Sequence, residues 1–94
     1  MRYNIMTEQF SYTPRGVCSR NIDIEIDGEI ITLVKYTGGC SGNTQGVSAL
    51  VKGMNIDEAI ERLSGIRCGF KSTSCPDQLA EALKEYKAKK ATNI

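Results

Sequence analysis

The sequence has no histidine and no tryptophan. Without histidine a metal site has to be built from sulfur, with carboxylate as the remaining donor. No carboxylate pair stands in a recognisable catalytic context either, so no substrate pocket can be read from the residues. An excess of charge is also missing: 12 basic side chains face 11 acidic ones, for a net charge of +1. That balance supplies no electrostatic attraction to nucleic acid or to an anionic membrane. No apolar run exceeds a few positions, so neither a signal peptide nor a membrane span is expected. The expected compartment is the reducing cytoplasm, where persistent disulfides are rare. No close C-x-x-C pair announces a zinc knuckle or a thioredoxin-type site.

What is there is enough for one domain over residues 1–94, with its core at about 8–89. Apolar residues make up 40% of the chain and only six residues are aromatic, which limits the core. A core of this size gains from a staple, and four cysteines can supply one. Glu8–Thr13 alternates, with Phe10 and Tyr12 on one side, and reads as a short strand ended by Pro14. Asn21–Ile26 is the clearest strand, with Ile22, Ile24 and Ile26 on one face and Asp23 and Glu25 on the other. Asp27–Gly28 is the strongest hairpin signal. Counting back from it pairs Ile24 with Ile31 and Ile22 with Leu33, placing all four on one buried face.

After the returning strand, residues 37–43 form a glycine-rich turn that feeds a helix. There Val47, Leu50 and Val51 keep helical spacing, and Gly53 fits the stop. Asn55 caps a second helix, with Glu58 three residues on and Ile56, Ala59, Ile60 and Leu63 as its apolar stripe. Gly65 ends it. The last helix spans about Cys75–Lys89, with Leu79, Ala82, Leu83 and Tyr86 toward the core and lysines in its final turns. The fold class is α+β: a three-stranded antiparallel sheet covered on one face by about three helices.

The chain is organised around Thr73–Ser74–Cys75–Pro76–Asp77. Ser74 or Cys75 can cap the last helix, Pro76 suits its first turn, and Asp77 suits its positive end. Cys75 thus sits beside free N–H groups, where negative charge on sulfur is favoured. Cys18, Cys40, Cys68 and Cys75 are separated by 22, 28 and 7 residues, each where an element begins or ends. Cysteines packed only as small hydrophobes would be expected within apolar stripes. These four lie among Gly, Ser and Thr. The Gly38–Gly42 stretch lacks the Lys and Ser/Thr of a P-loop and the spacing of a dinucleotide site. It reads better as a turn that lets backbone approach a metal-bound sulfur.

The T-S-C-P-D string at Thr73–Asp77 resembles the signature of the TSCPD domain. That domain is found at the C-terminus of adenosylcobalamin-dependent ribonucleotide reductases and in small free-standing four-cysteine proteins, and the resemblance to the latter runs from about Tyr12 to Tyr86. In architecture the chain also looks like the U-type iron–sulfur cluster scaffold over roughly Gly16–Lys87. That family has one cysteine before a strand hairpin, a second in a glycine-rich turn before a helix, and a third opening the last helix. Cys18, Cys40 and Cys75 fall on those places, and Val51–Ala59 resembles the scaffold's helix–Gly–helix segment. Arg20 stands where the scaffold has aspartate, Ser74 where it has histidine, and Cys68 has no counterpart there. The resemblance therefore implies a closed site of four thiolates, as in structural zinc or a tightly held iron–sulfur centre.

Three functions follow as expectations. The first is a metal-binding protein, not itself an enzyme, whose Cys18, Cys40, Cys68 and Cys75 hold one zinc ion or one iron–sulfur cluster. The second is an oxidoreductase accessory to ribonucleotide reduction, in which Cys68 and Cys75 cycle between dithiol and disulfide. The third is an interaction domain whose site only stabilises the fold and whose partner is another protein.

Overall fold

A computed structural model describes residues 7–17, 19–38, 41–67 and 73–92. Among these residues three strands, β1 (Thr7–Tyr12), β2 (Ser19–Asp27) and β3 (Ile30–Gly38), form an antiparallel sheet in the order β1-β2-β3. Three helices follow: α1 (Ser41–Val51), α2 (Ile56–Leu63) and α3 (Cys75–Thr92). The architecture is α+β, as the residue pattern implies.

The isoleucines of β2 carry the core. Ile22, Ile24 and Ile26 alternate with Asp23 and Glu25 and are buried together with Leu79 and Leu83 of α3. Fully burying one such side chain is worth about 1.5–3 kcal/mol, so this stripe is a large share of what holds α3 to the sheet. α2 lies against α3, and α1 against β3.

The hairpin register differs from the sequence expectation in two ways. Asp27 pairs with Ile30, so the turn residues are Gly28 and Glu29, one position later than expected. Gly28 has φ +67°, which a residue with a Cβ would adopt only under strain. A β-bulge then follows. Ile26 pairs with Ile31 but Glu25 pairs with Leu33, which leaves Thr32 as the extra residue. The Thr32 hydroxyl lies 3.1 Å from the carbonyl oxygen of Glu25 and 2.9 Å from its Oε2, which anchors the bulge. Beyond it Ile24 faces Val34 and Ile22 faces Tyr36. Val34 is therefore the buried residue, while Leu33 is 46% exposed. Leu33 does not join Ile22, Ile24 and Ile31 in the core.

Two further expectations are corrected on the helices. Leu50 is 70% exposed, because Thr44, Val47 and Val51 form the inward stripe of α1 and Leu50 falls about 100° away from Val51. Asn55 caps α2 as expected, its Oδ1 accepting from the Asp57 N–H at 2.8 Å. The Glu58 carboxylate does not complete a capping box but pairs with Arg62 one turn on. The segment between α1 and α2 closes part of the outer edge of β3. Gly53 N–H donates to the Ile31 carbonyl, Ile31 N–H to Met54 and Ile56 N–H to Glu29. A paired edge is not open to another strand.

α3 runs from one end of the sheet to the other. Near the hairpin turn, Tyr86 stacks on Phe10 with ring centroids 4.9 Å apart. Its hydroxyl donates to Glu8, which also meets Lys90. Those two contacts hold the Glu8 carboxyl below the usual range. The opposite end of α3 meets the start of β2 and the end of β3.

Candidate functional site at the start of the last helix

Ser74 is the N-cap of α3. Its carbonyl accepts the first helical bond, from Gln78 N–H at 2.8 Å, and its hydroxyl accepts from Asp77 N–H at 3.2 Å. Cys75 and Pro76 then occupy the first turn, where the missing proline N–H costs nothing. Of the two caps the sequence allows, serine has the stronger acceptor, and this frees the cysteine sulfur for another role.

Every polar side chain of the T-S-C-P-D turn reaches another part of the chain or stiffens the turn. The Ser74 hydroxyl donates to the Ile66 carbonyl at 2.6 Å. Asp77 accepts from the Gly65 N–H at 2.6 Å and from the Thr73 hydroxyl. Gln78 donates to Thr73 Oγ1 at 3.1 Å and accepts from the Arg15 N–H at 2.9 Å. Thr73, Ser74 and Gln78 are all buried, and among the described residues no buried side-chain polar atom lacks a partner. A satisfied buried network of this kind sets one geometry, since breaking any member strands another in low dielectric.

Cys75 is 8% exposed. Its Sγ lies 3.0 Å from the hydroxyl of Ser19, and its carbonyl accepts from the Tyr36 hydroxyl at 3.0 Å. Burial, and secondarily the nearby Cys75, push the Tyr36 phenol well above its ordinary value, so it stays a donor. Ser19 points inward because of a second strand irregularity. Ser19 pairs with Gly38 and Asn21 with Thr37, so Arg20 is the extra residue and bulges outward. Strict alternation from Ile22 would have faced Ser19 to solvent; the bulge brings both onto the buried side.

Of the four cysteines expected to form a site, Cys75 is described and Cys18, Cys40 and Cys68 lie outside the described residues. Among the described residues no group of three His, Cys, Asp or Glu side chains is placed to hold a metal ion. What the structure does place are the neighbours of those cysteines. Ser19 touches Cys75, Gly38 pairs with Ser19, and Ile66 is bonded to Ser74. The roles of Ser19, Tyr36 and Gln78 had no signal in the sequence, because each depends on a partner 39 to 63 positions away.

The class defined by these features is a small α+β domain, a three-stranded meander backed by helices, with a hydrogen-bonded cysteine turn opening the last helix. The chain belongs to the TSCPD domain family, whose model matches residues 1–87, nearly the whole sequence. No curated protein and no solved structure matches it. No helix among the described residues is long and apolar enough to cross a membrane.

Proposed function

We propose that this TSCPD protein binds one zinc ion or one iron–sulfur cluster through the thiolates of Cys18, Cys40, Cys68 and Cys75. One observation carries the reading: the turn around Cys75 is tied to the chain stretches that bear the other three. Cys18 is the residue before Ser19, whose hydroxyl lies 3.0 Å from Cys75 Sγ. Cys40 follows two positions after Gly38, the partner of Ser19 across the hairpin. Cys68 follows two positions after Ile66, whose carbonyl is held by Ser74 at 2.6 Å. Two residues of chain span at most about 7 Å, so each of these three cysteines is separated by only a short stretch of chain from a residue joined to the Cys75 turn or paired with one that is.

The donor set fits such a centre. Four thiolates and no histidine suit zinc or an iron–sulfur cluster, and a set of four sulfurs leaves no open position for a substrate. A bound metal of this type cross-links the loops and stabilises the fold. The chain's own part is to pre-form the turn. Ser74 caps α3 and fastens the loop after α2, Gln78 fastens the loop before β2, and Asp77 closes the turn on itself. This arrangement supports binding rather than turnover.

Metal analysis and visible spectra of protein purified without oxygen test the proposal, with Cys75→Ser and Cys68→Ser as variants. One zinc per chain, or a brown protein carrying a cluster, is expected for the wild type. Either variant should lose metal and melt at lower temperature, because binding to the folded state is linked to stability. Variants with unchanged metal content and melting temperature would overturn the reading. So would metal-free wild-type protein in which Cys68 and Cys75 interconvert reversibly between dithiol and disulfide; that outcome would assign the redox role.

A further inference from the structure

We propose that Ser19 is a positioning residue for the Cys75 sulfur in the metal-bound protein, donating its hydroxyl hydrogen to the thiolate. The inference rests on the metal-binding reading above and adds a group that is not itself a ligand. Ser19 is 4% exposed, and its Oγ lies 3.0 Å from Cys75 Sγ across 56 residues of chain. In the thiol form either atom can donate. Once the sulfur is a thiolate it has no hydrogen to give, so the serine must be the donor. The bond then becomes charge-assisted, and both residues that make it are buried.

Two structural features commit Ser19 to this bond. The bulge at Arg20 turns Ser19 to the inner side of β2, a departure from alternation with a functional consequence. Pairing with Gly38 then fixes its backbone in the ladder, so the hydroxyl direction is limited to rotation about one bond. The tie between Tyr36 and the Cys75 carbonyl holds the other side of the same residue. Cys75 is thus held at both its carbonyl and its sulfur. Hydrogen bonds to a ligating sulfur draw charge from it and fix its lone-pair direction. Loss of such an outer partner typically weakens metal affinity about 10–100-fold.

The test uses Co(II) alone as the probe, added to the full metal-free chain without oxygen. Wild-type protein should develop the intense visible bands of tetrahedral thiolate coordination and a sulfur-to-cobalt charge-transfer band in the near ultraviolet. Ser19→Ala should move the charge-transfer band to lower energy and raise the Co(II) dissociation constant about tenfold or more. Ser19→Thr, which keeps the hydroxyl, should restore both, whereas Ser19→Val, matched to threonine in shape, should not. A purely packing role would make Thr and Val alike. In the cobalt-loaded wild type, the Ser19 hydroxyl should give a paramagnetically shifted proton resonance that disappears in D2O. That measurement decides the matter even where a variant fails to fold. Unchanged bands and affinity in Ser19→Ala, or no such resonance in the wild type, would overturn the role of Ser19 and leave metal binding standing. A wild type that forms no thiolate–cobalt spectrum would instead remove the metal-binding reading, and this inference with it.

Discussion

Replacing Val34 or Leu33 by alanine separates the observed hairpin register from the simpler one. Val34 is 5% exposed and joins Ile24 in the core, whereas Leu33 is 46% exposed and pairs with Glu25 on the other face. Val34→Ala removes two buried carbon groups at about 0.8 kcal/mol each, to which incomplete collapse of the cavity adds. The expected loss is about 1.5–3 kcal/mol. Leu33→Ala deletes more atoms, but from a side chain that water already reaches, so its loss should stay below about 1 kcal/mol. Urea unfolding followed by far-ultraviolet circular dichroism measures both. Metal loading has to be held constant, because a bound ion shifts apparent stability by mass action. Equal denaturant slopes would show that both variants unfold from equally compact states. If Leu33→Ala proved the more damaging, the bulge at Thr32 would be refuted, and the uninterrupted pairing of Ile22 with Leu33 would replace it.

Two other predictions follow from the packing and the ionisable groups. Leu83 is fully buried in the cluster that joins α3 to the sheet, so Leu83→Ala should cost about 2–5 kcal/mol by the same urea assay. A loss under about 0.5 kcal/mol would mean that α3 is not docked there. Tyr86 is pushed up to about 12 by burial and by its bond to Glu8, and burial also raises Tyr12 and Tyr36. The folded state therefore holds these phenol protons above the ordinary value of about 10, and the unfolded state releases them first. Stability is fully present below pH 10 and should fall as pH rises from about 10 through 12. Tyrosinate absorbance at alkaline pH checks this; complete ionisation of the native protein near pH 10 would contradict it.

The sequence alone determined the elements wherever a local rule acts. The isoleucines of β2 alternate with acidic residues, and a strand buried on one face follows from that period of two. Asn55 is an N-cap because its side chain reaches an N–H two residues on, and Gly53 ends a turn at φ +89° for lack of a Cβ. The T-S-C-P-D string marks the start of α3 by the same local chemistry, and it carries the family. Tertiary structure decided the rest. An inserted residue changes which face every later side chain of a strand occupies, and no local preference marked Thr32 or Arg20 as the extra one. So Val34 displaced Leu33 from the core, and Ser19 turned inward to Cys75. The bonds from Gln78 to Arg15, from Ser74 to Ile66 and from Tyr36 to Cys75 join side chains to stretches set by packing. The lack of histidine narrows metal donors to sulfur and carboxylate; the packing of α3 against the ends of β2 and β3 determined which residues surround Cys75.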